Sequence, residues 1–393
     1  MAWGVKNVEI QRKLFCLDVL SKKINMSEAC RIYGISRPTG YEWLSRYKAE
    51  GDKGLRNREL GRHNQSHQTP QEIEDVVLML KFEYMKWGAK KILPKLKERF
   101  PEIHWPCKTT IEKILDRNGC TIPRKYRQRL AANTSPLIQA INSNDVWCMD
   151  FKGWYLTEDN YKFDPFTLTD NHSRFLLKCC KLKSNDTEHV WNILDIAFRE
   201  YGLPIYLRSD NGPPFASLAP GRLSSLAIKL IKAGVMPEWI EPGKPYQNGR
   251  HERMHLTMEK EGFCRGSSLY KQELLLREFQ DYYNFERYHE SLGQKTPGSI
   301  YVPSQRVWTG KLKPLEYEDG IRVAKVASCG KIHWKGKSIY ISRVLSGENV
   351  GIKEEEEGYV AYFGCIFLGM ISDNNLEFER RSQRKKIPSK SKA

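Results

Sequence analysis

The first 50 residues carry apolar side chains at helical spacing, separated by residues that cap or end helices. Ser27 is placed to cap a short second helix that Gly34 ends. Ser36 is placed to cap a third helix that Gly51 ends. A helix, a short turn and a second helix predict a helix-turn-helix domain over residues 1–50, whose second helix enters the DNA major groove, with a plain three-helix bundle as the alternative. The predicted inner positions of the first helix are Ile10, Leu14 and Leu17, and the candidate DNA contacts of the third are Arg37, Thr39 and Tyr41.

A second helical region covers residues 69–119. A capping box with proline at the first helical position opens it at Thr69, and one apolar stripe follows. Another helix follows Gly88, and a third runs from Thr109 to Asn118 before a stop at Gly119. The pattern predicts a second helix-turn-helix domain, although three amphipathic helices also serve as a spacer. The stripe consists of Ile73, Val76, Val77, Leu80 and Tyr84.

From residue 144 to residue 301, strand-like apolar runs come first, and helices then alternate with strands. This order predicts a mixed sheet, because a strand–helix–strand crossover joins parallel strands. Besides the run around Asp150, the predicted strands cover residues 161–169, 174–182, 205–209 and 238–240, and the predicted helices cover residues 185–201, 222–233 and the stretch from about Glu252 to Gly262.

The remaining segments have distinct compositions. Residues 319–372 contain five or six short β-rich runs between glycine turns, which predict a small β-barrel. Residues 51–68 and 120–143 are expected to be basic linkers, and residues 302–318 a third linker. Residues 373–393 end in a run of lysine and arginine without acids, and we expect a disordered tail that DNA attracts.

The formal net charge of +17 favours a polyanionic partner, and the expected one is double-stranded DNA. No run of about 18 apolar residues and no signal-peptide core is present in the sequence, so a membrane is not expected as a partner. The ten cysteines are scattered and form no Cys-x-x-Cys pair. This spacing fits reduced thiols in the cytoplasm better than a zinc ribbon or a disulfide scaffold.

Three acidic residues stand where a solvated surface charge is not expected. Asp150 lies inside an apolar run, Asp210 closes another strand before an Asn-Gly turn, and Glu252 lies near the start of a helix. Carboxylates brought together stay ionised only if cations neutralise them. Mg²⁺ prefers carboxylate oxygens and leaves coordination positions for phosphate oxygens. The competing acids are Asp145, which precedes the strand, Asp164, which precedes a proline, and Asp170, which lies in a predicted hairpin turn.

The order strand Asp, strand Asp, helix Glu, together with further motifs, resembles the DDE transposases of bacterial insertion sequences. The core of that family is similar to retroviral integrase and to ribonuclease H. The resemblance covers about residues 144–301. The further motifs are Thr169 to Arg174, Tyr283-Asn284, Arg287, His289, Ser291 to Gly293 and Lys295 to Pro297.

The resemblance implies a multidomain α/β protein with a ribonuclease-H-like mixed-sheet core. It implies that Asp150, Asp210 and Glu252 are catalytic and bind Mg²⁺, or Mn²⁺ as a substitute, with two ions roughly 3.5–4 Å apart in the site. It further implies a transposase that binds the terminal inverted repeats of a mobile element, cleaves DNA and transfers the strand to target DNA. A homo-oligomer assembled on DNA and an association with the bacterial nucleoid follow from the same resemblance.

Two features depart from the family pattern. The segment between Asp210 and Glu252 is longer than usual, with the extra length expected before the next helix. Many relatives place a lysine or arginine two turns after the glutamate, where this chain has Glu259, and Lys260 points about 100° away. Other candidate DNA contacts in this region are Gln247, Asn248, Arg253 and His255, whereas Arg287 and His289 fit buried structural partners as well as phosphate contacts.

Two other functions remain compatible with the sequence. A DNA-binding regulator derived from a transposase would lack catalysis, but none of the three acids is missing. A purely hydrolytic nuclease of the same fold would lack the joining step, and the predicted DNA-reading domains argue against it.

Overall fold

The structure is a computed structural model that describes residues 8–57, 69–121, 137–356, 358–373 and 375–380. The chain divides into two units, residues 1–69 and residues 70–393. No helix among the described residues is long and apolar enough to cross a membrane.

The first unit contains three helices, α1 (Val8–Leu20), α2 (Met26–Ile32) and α3 (Arg37–Glu50), followed by a 3₁₀ turn (Gly51–Leu55). Leu55 is buried in the core of this unit, so residues 51–55 belong to the domain and not to the predicted linker. Residues 58–68 of that linker lie outside the described residues.

The inner face of α1 differs from the prediction. Phe15 and Cys16 are buried, whereas the predicted positions are 42–56% exposed. The reason is the partner helix: Gly40 of α3 has no side chain, and a Cβ there would lie 2.7 Å from Cys30 Sγ and 2.9 Å from Phe15. Arg12 lies on the same inner face, stacks 3.8 Å from the centroid of the Trp43 ring and donates to the Leu55 carbonyl at 2.7 Å. The mispredicted positions are Ile10, Leu14 and Leu17.

One predicted cap is confirmed and one is wrong. Ser36 accepts the backbone N–H of Thr39 and caps α3. Asn25, and not Ser27, caps α2, because its extended backbone lets the side chain accept the Glu28 N–H at 2.9 Å.

The second unit begins with α4 (Gln71–Glu83), α5 (Ala89–Arg99) and α6 (Lys108–Arg117). The predicted stripe of α4 faces the core of this region, in which Val77 and Leu80 are fully buried. The predicted capping box is wrong, because Pro70 is the N-cap residue and no side-chain capping bond forms. Residues 122–136 of the predicted linker 120–143 lie outside the described residues.

This helical region packs directly on the segment 282–290, at the end of the core region. Trp87 is buried, and its indole N–H donates to the Tyr282 hydroxyl at 2.6 Å. Tyr288 is part of the same hydrophobic cluster and bonds to Glu98. The helical region and the core segment therefore share one hydrophobic core.

The central sheet has the strand order β5-β4-β1-β6-β7. β1 pairs antiparallel with β4 and parallel with β6, which confirms a mixed sheet. The predicted strand 161–169 is two strands in the structure, because β3 pairs with β2 in a separate hairpin. The strands are β1 (Val146–Phe151), β2 (Tyr155–Leu156), β3 (Lys162–Phe163), β4 (Pro165–Asp170), β5 (Leu176–Lys181), β6 (Tyr206–Ser209) and β7 (Met236–Trp239).

Four helices cover the sheet: α7 (Thr187–Tyr201), α8 (Ser225–Lys232), α9 (Gly249–Lys260) and α10 (Leu269–Asp281). Trp147 and Met149 pack with α7 and α8. The alternate residues of β1 point to the other face, where α9 crosses the strand. This alternation places Asp150 on the α9 face.

The C-terminal strands form an open antiparallel sheet, β14-β13-β12-β11-β8, and a separate β9–β10 hairpin, so the described strands do not close into the predicted barrel. The sheet buries its apolar face against Ile228 and Ile231 of α8, which replaces closure of the sheet on itself. β14 falls within the predicted tail, and residues 381–393 lie outside the described residues. The strands are β8 (Arg322–Lys325), β9 (Lys331–Trp334), β10 (Lys337–Tyr340), β11 (Asn349–Glu355), β12 (Gly358–Phe363), β13 (Ile366–Ser372) and β14 (Phe378–Glu379).

The shared core predicts a large effect of Trp87→Ala. Loss of this buried indole should lower the free energy of unfolding by about 3–5 kcal/mol, because a cavity forms and Tyr282 loses its donor. Urea unfolding followed by circular dichroism measures the change. Phe82→Ala, at a position of α4 that is 66% exposed, is the matched control and should shift the value by about 0.5 kcal/mol at most. Equal effects of the two substitutions would contradict the shared core.

Candidate active site

Asp150 and Asp210 end neighbouring parallel strands at the same level of the sheet. The β1–β6 register pairs Cys148 with Arg208, and each acid follows two residues later, Asp150 within β1 and Asp210 directly after β6. Side chains two residues apart on a strand share a face. Strand pairing therefore brings the two carboxylates to one edge and one face of the sheet.

The charges of Asp210 and Glu252, and that of Asp164, all act on Asp150. Burial raises the pKa of Asp150 to about 7, the charge of Asp210 adds to the shift, and that of Glu252 contributes further. Burial also raises the pKa of Asp210, partly offset by the Gly212 N–H, which donates to its Oδ1 at 3.2 Å. The arrangement favours either a proton or a cation between these carboxylates.

The start of α9 completes this site. Glu252 lies in the first turn of α9 and is exposed. The residue before the helix, Asn248, is buried and donates its amide N–H to Asp150 Oδ2 at 3.2 Å. Asn248 Oδ1 is buried and has no hydrogen-bond partner among the described residues. A buried carbonyl oxygen without a donor beside the Asp150 carboxylate is suited to accept a hydrogen bond from the water of a bound cation.

A hydrogen-bond network that the sequence did not predict joins the Asp150 backbone to two histidines of α9. The fully buried Thr167 hydroxyl lies 3.1 Å from the Asp150 carbonyl oxygen and 2.7 Å from Nε2 of both His251 and His255. The Thr169 hydroxyl lies 2.9 Å from His251 Nδ1. The only hint in the sequence is the i, i+4 spacing of two histidines beside a strand with alternating threonines.

One assignment of protons satisfies every member of this network. Thr167 donates to the Asp150 carbonyl and accepts the Nε2–H of both histidines, while Thr169 donates to His251 Nδ1. Burial lowers the pKa of His255 to about 3 and that of His251 well below its usual value, so both rings are neutral. Asp150, His251 and His255 offer possible ligand atoms within 4.8 Å of one another, but the hydroxyl groups already occupy both nitrogens of His251. We interpret the histidines as supports of the site.

The structure places the remaining candidate DNA contacts in different environments. Arg253 and Lys260 on α9, like Arg37 and Tyr41 on α3, are exposed. Gln247 is buried, with its side chain bonded to the Glu241 N–H and carboxylate at 2.7 and 3.0 Å, so it does not face solvent. The buried positions of His255 and Asn248 described above likewise replace the predicted DNA contacts with structural ones, and Thr39 is partly buried and bonds to Ser36.

The competing acids accept hydrogen bonds from backbone N–H groups. Asp145 accepts the N–H groups of residues 141 and 142, and Asp164 accepts the Gly153 N–H at 3.1 Å. Asp170 ends β4, is fully buried and accepts the N–H groups of residues 144 and 173. These bonds fit the structural role expected of acids beside turns.

Arg287 and His289 also have structural positions. Arg287 pairs with the partly buried Glu261 at 3.0 Å, and Tyr282 bonds to the same carboxylate. His289 is partly buried and packs against the Tyr283 ring, with centroids 4.8 Å apart. Glu259 pairs with Lys152 at 3.7 Å.

Comparisons with known proteins add the following findings. Residues 142–245 and residues 233–297 each match a family model described as an integrase core domain. Residues 13–63 match a helix-turn-helix domain, and residues 39–115 match a homeodomain-like domain.

A protein of Xanthomonas euvesicatoria, the insertion element IS476 uncharacterized 39.2 kDa protein, is 26% identical over 224 residues, which cover 55% of this chain. The chain thus spans 61% of the length of this curated relative. Among solved structures, the HTLV-2 integrase catalytic core domain in complex with magnesium is 16% identical, with a TM-score of 0.32, over 42% of this chain and 100% of that chain. The simian T-cell lymphotropic virus intasome in complex with PP2A regulatory subunit B56 gamma is 14% identical, with a TM-score of 0.38, over 72% of this chain and 91% of that chain.

The network predicts that Thr167→Val is destabilising. Valine keeps the shape but leaves two buried imidazole N–H groups without an acceptor, and the free energy of unfolding should fall by about 2–4 kcal/mol. Urea unfolding followed by tryptophan fluorescence measures this. Thr109→Val on the exposed side of α6 is the control and should change stability by about 0.5 kcal/mol at most. A Thr167→Val protein as stable as the wild type would show that the hydroxyl does not hold the histidines.

Proposed function

From the integrase core domain that this chain carries, preceded by helix-turn-helix domains, we infer that the protein is a transposase. We propose that it binds the terminal inverted repeats of a mobile DNA element, cleaves the DNA and joins the freed 3′ ends to target DNA. The observation that supports this most strongly is the parallel pairing of β1 and β6, which brings Asp150 and Asp210 to one edge of the sheet, where the start of α9 bonds to Asp150 through Asn248. The strand order 3-2-1-4-5 by chain position, with two antiparallel and two parallel neighbours, supports assigning the core to the ribonuclease-H-like class.

The proposed metal ligands are the carboxylates of Asp150, Asp210 and Glu252. The unpartnered Asn248 Oδ1 and the raised pKa of Asp150 fit a site that is completed by Mg²⁺ or Mn²⁺. When bound, a pair of such ions would activate the attacking hydroxyl group and stabilise charge on the leaving oxygen.

The chain itself supplies the positioning. Parallel strand pairing fixes the separation of Asp150 and Asp210, and Asn248 orients the Asp150 carboxylate through its amide N–H. Thr167 bridges the Asp150 backbone to two histidines of α9, so the helix that carries Glu252 is held against the strand. These groups preorganise the carboxylates before DNA arrives.

DNA recognition is assigned to the exposed N-terminal residues of α3. In helix-turn-helix proteins these residues contact base edges and phosphates. Arg37 and Tyr41 are exposed there, and the net charge of +17 adds a general attraction to DNA. Handling two element ends together requires several copies, so we propose a homo-oligomer on DNA.

Substitution of the acids tests catalysis. Asp150→Asn, Asp210→Asn and Glu252→Gln should each reduce DNA cleavage by about a hundredfold or more and leave binding of the ends within about twofold, because only the charge that supports the reaction is lost. Glu259→Gln, on the same helix, is the control and should retain cleavage.

The assay uses labelled duplexes that carry the element's ends, with Mg²⁺ or Mn²⁺ and with chelator as the metal-free reference. Joined products support the transposase, cleavage without joining would identify a hydrolytic nuclease, and binding without cleavage would identify a regulator. Parallel loss of binding and cleavage in all three variants would contradict their assignment as ligands.

The role of α3 predicts a loss of DNA affinity in Arg37→Gln. Removal of this exposed charge at the start of the helix should weaken binding about tenfold and reduce the dependence of log K on log salt by about one. Fluorescence anisotropy over a salt series measures both quantities. Lys48→Gln, in the last turn of α3, is the control and should bind like the wild type. The same loss in both variants would mean that the first turn of α3 is not the reading surface.

A further inference from the structure

The β2–β3 hairpin lies beside the proposed active site and is fixed to it. It begins directly after β1, and Trp154 follows Asp150 by only four residues. The Lys152 N–H donates to the Pro165 carbonyl at 3.0 Å, and the Gly153 N–H donates to Asp164 at 3.1 Å. The ladder between β1 and β4 thus continues into the base of the hairpin, which holds it rigidly relative to Asp150.

The inner face and the tip of the hairpin are also anchored. Tyr155 pairs in register with Phe163, their ring centroids lie 5.6 Å apart, and both pack in the hydrophobic cluster under α9 and α10. The buried Thr157 closes the turn by an N–H bond to the Tyr161 carbonyl at 3.0 Å. The Glu158 N–H donates to Gly266 at 3.1 Å and ties the tip to the segment after α9.

The outer face carries apolar side chains that are largely exposed. Trp154 is 62% exposed and Leu156 50%. Leu156 pairs with Lys162, on the face opposite to that of Tyr155 and Phe163. The Lys162 ammonium lies 4.9 Å from the centroid of the Trp154 ring. An exposed ring with an apolar neighbour and a cation on one anchored ribbon is a candidate binding surface.

The chemistry of this face matches a nucleotide. An aromatic ring stacks on a base without regard to its sequence, and an adjacent ammonium group compensates a phosphate. A base inside a duplex is stacked on both faces by its neighbours, so only an unpaired base has a free face that can stack on the Trp154 ring. Lys162 is the charged group that contacts the ring, whereas the nearby carboxylates of Asp159 and Asp164 are turned to hydrogen bonds within the fold.

We propose that the outer face of the β2–β3 hairpin, centred on Trp154, holds an unpaired base of the DNA strand that enters the Asp150 site. This inference rests on the proposed function, because it takes DNA as the substrate of that site. In this role Trp154 is a positioning residue that keeps the frayed end of the strand from re-pairing.

Binding of a fluorescent base tests the proposal. Two short duplexes of arbitrary sequence carry 2-aminopurine, one in a single-stranded overhang and the other in the middle of the duplex. With the full chain, the overhang probe should be quenched on binding, because 2-aminopurine loses fluorescence when it stacks on an aromatic ring.

Trp154→Ala should abolish the quenching and weaken binding of the overhang duplex about tenfold, while binding of the blunt duplex changes less than about twofold. Trp154→Phe keeps a ring and should restore most of the quenching. Ile196→Ala is the control, since it removes an apolar side chain of similar exposure from α7 and should behave like the wild type.

Each remaining outcome overturns the inference in a recognisable way. If Trp154→Ala binds and quenches the overhang probe like the wild type, the hairpin does not hold the base, and the proposed function is untouched. If Trp154→Ala changes only the self-association of the protein, measured by sedimentation, the surface is a protein interface instead. A wild type that binds neither duplex would overturn this inference, and the assay with the element's ends decides the proposed function separately.

Discussion

The main physical constraint on this core is the repulsion between the partly buried carboxylates of Asp150 and its acidic neighbours. Parallel pairing of β1 and β6 puts Asp150 and Asp210 at one level, and burial together with the neighbouring charges raises the pKa of Asp150 to about 7. Such a site gains stability only when a proton or a cation enters it. The surrounding fold therefore has to hold the acids in place against their repulsion, and the contacts around Asp150 serve this purpose.

The supporting contacts are neutral, which fits that constraint. Charged histidines would pair with the carboxylates directly and compete with a cation for them. Burial keeps His251 and His255 neutral, and the Thr167 hydroxyl converts them into hydrogen-bond donors to the strand that carries Asp150. These neutral contacts leave the negative charge of the carboxylates free to be compensated by a cation. Asn248 follows the same rule, since an amide orients a carboxylate without neutralising it.

The elements that local patterns determine were predictable from the sequence. The helices after Gly88 and before Gly119, the Ser36 cap and the mixed order of the central sheet follow from periodicity and cap residues, and the structure confirms them. The inner face of α1 was not predictable, because apolar residues occur on two sides of that helix and only the packing against Gly40 selects one.

Features that depend on contacts between residues far apart in the chain were likewise not predictable from the sequence. The spacing of the C-terminal strands predicted a barrel, because that spacing carries no information on α8, the helix that covers the open sheet. The proposal of the three acids came from Asp150 inside a strand, Asp210 after a strand and Glu252 in a helix, and it remains a prediction. The network of Thr167 with His251 and His255 joins residues more than eighty positions apart, and no local pattern records that contact.

The packing of Trp87 and Tyr288 in one core has a consequence for how the protein is divided. Residues 142–297 match the integrase core family models, but Tyr282 and Tyr288 within this range pack against helices α4 to α6, which lie outside it. The region that matches the family models is therefore not the same as the region that packs around one hydrophobic core. Tyr282 accepts a hydrogen bond from Trp87 of the helical region and donates one to Glu261 at the end of α9, so two hydrogen bonds join the helical region to the helix that carries Glu252.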